Sequence, residues 1–168
     1  MAKTLRTVSI VALLSLLPAA AAAQKLVILT RHAERADAGK AEEKDPLLSQ
    51  LGEARAAKLA LMLADSGVKA IFATEFRRTQ NTAKPLATKL GLTVNVVPGA
   101  DTTGLVARLK KQHAADIVFI VGHSDTVPET IKALGGPTVT IQSTDFDNLF
   151  VLVPATGAFT RIRFPGAP

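Results

Sequence analysis

The chain has 168 residues, with 20 Lys+Arg against 14 Asp+Glu, 48% apolar residues and no Cys or Trp. This length carries one domain with enough residues for a real core, and the apolar fraction and modest charge exclude a disordered chain. Without cysteine there is no disulfide scaffold, thiolate zinc site, iron–sulfur cluster or cysteine nucleophile, while the redox compartment stays open.

The first segment reads as a targeting signal. Lys3 and Arg6 form a short positive stretch, Val8 to Leu17 an apolar run, and Ala19 to Ala23 a small-residue tail. This is the three-part build of a secretory signal peptide, with cleavage expected between Ala23 and Gln24. An uncleaved anchor is the competing reading. The apolar run is broken by Pro18 and falls short of the roughly 20 residues that a bilayer span needs. Residues 1–23 are therefore read as a signal peptide and residues 24–168 as a single domain, periplasmic or secreted. Removing Lys3 and Arg6 takes the formal charge from +6 to +4.

From there apolar runs alternate with helical patterns. Leu26–Thr30 is a continuous apolar run, read as a strand buried on both faces. The charged stretch from Glu34 to Asp45 reads as a solvated rim. Ser49 can cap a helix running to about Ala64, and Gly67 ends it. Lys69–Ala73 reads as a second strand, followed by a helix from about Arg78 to Leu90 with a stop at Gly91. Thr93–Val97 is a third strand and Leu105–His113 a short helix, on which His113 reads as solvated surface. Asp116–Val121 is the most apolar strand, and Pro128 opens a further helix to Leu134. Thr138–Ile141, Leu149–Val153 and Phe159–Phe164 read as strands. The alternation predicts an α/β three-layer sandwich, a largely parallel central sheet with helices on both faces. In such sheets ligands bind beyond the carboxyl ends of the strands.

Those ends carry the rare residues. The chain has three histidines. His32 directly follows the first strand, in Thr30-Arg31-His32-Ala33-Glu34, and His123 directly follows the most apolar one, in Val121-Gly122-His123-Ser124. Arg77 and Arg78 come just after the second strand, at a helix start. Guanidinium groups bind phosphate oxygens bidentately and keep their charge. Imidazole is a nucleophile near neutral pH, and a helix N-terminus adds N–H donors for an anion. Together these residue types describe a dianion pocket containing a nucleophile, a site for phosphoryl transfer.

The segments LTRHAER, TEFRRTQNTAKP and VGHSDTVPE, in that order, resemble the histidine phosphatase (phosphoglycerate-mutase-like) superfamily. The correspondence runs from Lys25 to about Phe164. By this resemblance Arg31 and His32 stand for the family's first Arg-His pair. Arg78, followed by Thr82-Ala83 at the family's spacing, stands for its second arginine, and His123 for its second histidine. Ala33 replaces the usual glycine, and Thr74-Glu75-Phe76 the usual Ser-Pro-Leu. The resemblance implies a metal-independent phosphomonoesterase that works through a phosphohistidine on His32, with no cofactor and a small phosphorylated substrate. It also implies an acid that protonates the leaving oxygen. Asp101, in the loop after the third strand, ranks first for this role; Asp125, two residues after His123, and Glu75 are the alternatives. Asp101 and Asp125 can equally cap the helices that follow them.

Two further readings compete. A mutase of the same family would need extra segments to shield the phosphoenzyme from water, for which one minimal domain has little room. A non-catalytic phosphate-binding or metal-binding module could use His32, His123, Glu34 and Asp125 as ligands, although two arginines in the same pocket would repel a cation. The chain lacks Tyr and Trp, so there is no aromatic–basic interleaving for base stacking and no nucleic-acid partner is expected.

Overall fold

A computed structural model describes residues 25–36 and 44–165. The expected signal peptide lies outside the described residues. Within them, β1 (Leu26–Arg31), α1 (Gln50–Met62), β2 (Val68–Thr74), α2 (Arg77–Leu90), β3 (Val94–Val97), α3 (Thr102–Gln112), β4 (Ile117–Gly122), α4 (Thr126–Ala133), β5 (Asn148–Val153) and β6 (Ala158–Arg163) follow in order.

The strands form one sheet in the order β3-β2-β4-β1-β5-β6. β3, β2, β4 and β1 are mutually parallel, and β5 and β6 add an antiparallel edge. The apolar runs alternate in side as strands must. Val27, Leu29, Phe72, Val118 and Ile120 pack with Leu105 and Leu109 of α3 and Val127 and Ile131 of α4. Ile28, Ile71, Ala73, Phe119 and Val121 pack with Leu59 and Ala60 of α1 and Ala83 and Leu86 of α2. The sheet is thus buried on both faces, which is why its central strands read as unbroken apolar runs.

Local chemistry sets the helix ends. Ser49 accepts from the Gly52 N–H at 3.1 Å and caps α1, and Gly91 closes α2 in the left-handed region at φ 66°. Thr138–Ile141 is a departure from the sequence reading. Its alternation is real, since Val139 packs against the core and Ile141 is buried, but among the described residues it pairs with no strand. The strand preference of a β-branched run depends on its packing context, and here the run packs on the core without a pairing partner.

The parallel register aligns the ends that matter. Arg31 pairs with Gly122 across β1 and β4, and the His32 N–H donates to the Gly122 carbonyl at 2.9 Å. β2 lies on the other side of β4 and ends at Thr74. Three neighbouring strands therefore release His32, Glu75 and His123 at one edge of the sheet.

Candidate active site

His32 sits at the centre of this edge, with only 4% of its surface exposed. Its Nδ1 lies 2.8 Å from the Ala33 carbonyl, which can only accept, so Nδ1 carries the proton and Nε2 keeps the lone pair. Burial is the main reason its pKa is pushed down to about 3, and the nearby Arg31, His123 and Arg78 charges act in the same direction. His32 is therefore a neutral imidazole at physiological pH, with one basic nitrogen.

His123 faces it, the two rings 5.3 Å apart at 64°. Its Nε2 is 2.8 Å from the Thr74 hydroxyl, which in turn meets the Thr79 hydroxyl at 2.9 Å. The Phe76 ring packs edge-on against it at 5.1 Å. Burial first, then Arg78, depresses the His123 pKa to about 4, against the opposing pull of Asp125 and Glu75. The backbone turn that delivers it depends on Gly122. A Cβ there would lie 2.7 Å from the Thr126 hydroxyl, the group that accepts from the His123 N–H.

The two arginines are fixed by different means. Arg31 donates through Nη1 to the Gln142 and Ser143 carbonyls at 3.0 and 2.8 Å, and its guanidinium lies 4.1 Å from the centre of the Phe146 ring. Its Nε is buried with no hydrogen-bond partner among the described residues, a donor available to an oxyanion. Burial lowers the Arg31 pKa, but a guanidinium stays charged. Arg78 opens α2, lies over the Phe76 ring at 4.3 Å and is 3.6 Å from Asp45. Asp45 also accepts from the Arg77 N–H at 2.9 Å, capping a helix whose own N-cap, Phe76, has no side chain to do so. No local pattern marks Asp45 for this task; it reaches the site from a stretch that reads as solvated rim.

The acid candidates separate. Glu75 and Asp125 line an open cleft of about 470 Å³ together with His123, Phe76 and Glu129. Glu75 holds the Gly99 N–H at 2.7 Å through Oε2, and Asp125 the Thr126 N–H at 2.8 Å. Asp101 is the N-cap of α3, its carboxylate 2.8 Å from the Gly104 N–H, and is not among the cleft-lining residues. Here the capping role that the sequence allowed is the one observed. Glu34, a candidate metal ligand, is instead engaged by Arg55 at 2.8 Å. Among the described residues no three His, Asp or Glu side chains converge as a metal site would require. His113 is half-buried, paired with Asp116 at 2.9 Å and packed against Phe72, rather than solvated.

Comparison with known proteins gives a family match and a shared fold. The sequence model of the histidine phosphatase superfamily (branch 1) matches residues 27–101. The matched segment is the one that supplies Arg31, His32 and Arg78. No curated protein matches the sequence. Among solved structures, the protein histidine phosphatase SixA complexed with tungstate is similar with a TM-score of 0.64 and 19% identity, over 82% of this chain and 94% of that one. The mycobacterial glucosyl-3-phosphoglycerate phosphatase with inorganic phosphate follows at 0.61 and 18%, over 76% and 89%. The alpha-ribazole phosphatase from Shigella flexneri stands at 0.62 and 15%, over 76% and 90%. At these identities the likeness is one of fold, and it extends past the family match to the half of the chain that holds His123.

Proposed function

We propose that the protein is a phosphomonoester hydrolase working through a phosphohistidine on His32. One observation carries this reading: a buried, neutral imidazole whose Nδ1 proton is committed to the Ala33 carbonyl, beside the guanidiniums of Arg31 and Arg78. In the first step Nε2 attacks phosphorus and the bond to the leaving oxygen breaks. Arg31, Arg78 and His123 hold the non-bridging oxygens as charge develops on them. Glu75, at the cleft wall beside Phe76, gives a proton to the leaving oxygen. In the second step it takes a proton from the water that attacks phosphorus, the N–P bond breaks, and inorganic phosphate leaves. Glu75 is preferred to Asp101 because it shares a cleft with His123 and Asp101 does not.

The test is turnover of an aryl phosphate with a chelator present. Hydrolysis that persists supports the reading. Loss of activity on chelation would point to a metal enzyme, phosphate binding without release to a non-catalytic module, and isomerised 3-phosphoglycerate to a mutase.

A further inference from the structure

One buried ion pair lies beside the site without a task in it. Arg55 lies in the middle of α1 and is only 8% exposed, an expensive place for a cation unless it is paired. Its partner is Glu34, two residues past His32, whose carboxylate receives Nε at 2.8 and 2.9 Å and Nη2 at 2.5 Å. The remaining Nη1 donates to the Phe164 carbonyl at 3.1 Å, tying the chain beyond β6 into the same node.

Glu34 is gripped through its backbone as well. Its carbonyl accepts from the Ser49 N–H at 2.9 Å. Gly52 packs so closely that a Cβ there would stand 2.3 Å from the Glu34 oxygen. The preceding residue is held on both sides. The Ala33 N–H donates to the Thr82 hydroxyl at 3.0 Å, and Thr82 donates to the Arg78 carbonyl at 2.8 Å. The Ala33 carbonyl, on the peptide that leads into Glu34, is the acceptor for His32 Nδ1.

We propose that the Glu34–Arg55 ion pair is the positioning device of the nucleophile. By fixing the Ala33–Glu34 peptide it keeps the Ala33 carbonyl where it takes the Nδ1 proton, and so holds His32 in the tautomer whose Nε2 is free. The ring nitrogen that carries the proton is set by the hydrogen bond the other one makes. Loosening that acceptor lets the proton move to Nε2 and blocks attack. Glu34 and Arg55 touch no substrate in this account; they act through Ala33. The catalytic consequence rests on the phosphatase reading above, whereas the tautomer itself does not.

The experiment compares the wild-type protein with Glu34→Gln and Arg55→Lys by two readouts: long-range proton–nitrogen NMR of the His32 ring, and kcat and KM on an aryl phosphate. Wild type is expected to show the Nδ1–H tautomer alone. In Glu34→Gln both tautomers appear, and kcat falls by roughly ten- to a hundredfold with KM little changed, the size of effect a small misplacement produces. Arg55→Lys keeps the charge but loses the two-pronged fork, and falls between. A folded Glu34→Gln protein with the Nδ1–H tautomer alone, or with unchanged kcat and only a lower melting temperature, would overturn the proposal. If Glu34→Gln does not fold, Arg55→Lys decides it by the same readouts. If wild type hydrolyses no phosphomonoester, the phosphatase reading fails while the tautomer comparison still judges the positioning role.

Discussion

At the scale of single residues, the proposed mechanism divides the work between groups that bind charge and groups that move protons. Arg31 and Arg78 are held by carbonyls, aromatic rings and Asp45, so on the proposed reading little reorganisation would accompany phosphate binding. In that mechanism Glu75 is the group whose role depends most on the substrate. A leaving oxygen of low basicity departs without help, whereas an alkoxide needs a proton. Glu75→Gln should therefore slow hydrolysis of an alkyl phosphate by about a hundredfold or more, the usual worth of a positioned acid. It should slow phosphorylation by p-nitrophenyl phosphate far less, as read by the burst of nitrophenol in rapid-quench kinetics. Equal losses on both substrates would remove Glu75 from the role of acid. Much at this scale was legible in the sequence. Arg31 ends an apolar strand, His32 and His123 directly follow one, and Arg78 lies in the first turn of the next helix; a strand end in a parallel sheet announces its own location. Asp45 and Arg55 were not legible. Asp45 meets α2 and Arg55 meets Glu34 only through the folded arrangement, and nothing in their local spacing encodes it. Asp101 shows the converse difficulty, since an aspartate before a helix carries the same signal whether it caps or catalyses.

Secondary-structure elements place these residues by their ends. β1 and β4 run in register to Arg31 and Gly122, so the two histidines leave adjacent strands at the same level. Gly122 allows the sharp exit because α4 begins directly behind it. In Gly122→Ala the new methyl group would stand 2.7 Å from Thr126 Oγ1 and 3.0 Å from Val127 Cγ2. Overpacking of this kind costs about 1–3 kcal/mol, and here it also displaces the hydroxyl that holds the His123 N–H. Gly122→Ala is thus expected to lower both the melting temperature and kcat. A variant with wild-type turnover would show that the α4 start does not position His123. The element pattern itself is readable because the central strands are buried on both faces and each helix follows a strand. Thr138–Ile141 alternates in burial like a strand, with Val139 and Ile141 on the core, yet it pairs with no strand among the described residues, a difference that side-chain alternation alone does not encode.

For the whole molecule, the two depressed imidazole pKa values make stability depend on pH. Unfolded histidine titrates near 6.5, whereas His32 and His123 hold values of about 3 and about 4 in the fold. Between these limits the unfolded chain binds more protons, so stability rises with pH there, is fully present above about 6.5, and is lost progressively as the pH falls below it. Each imidazole contributes a slope of at most about 1.4 kcal/mol per pH unit. Denaturant unfolding at pH 7 and pH 4.5 should show this loss, and His32→Asn should make it smaller; an identical loss in the variant would mean that His32 is not held neutral in the fold. The most direct test of the account is where the phosphoryl group goes. Enzyme mixed with a radiolabelled phosphomonoester is quenched in base, digested and mapped. We expect base-stable, acid-labile label on the peptide carrying His32, and neither label nor turnover in His32→Ala. Label on a carboxylate or hydroxyl, or full turnover in His32→Ala, would contradict it.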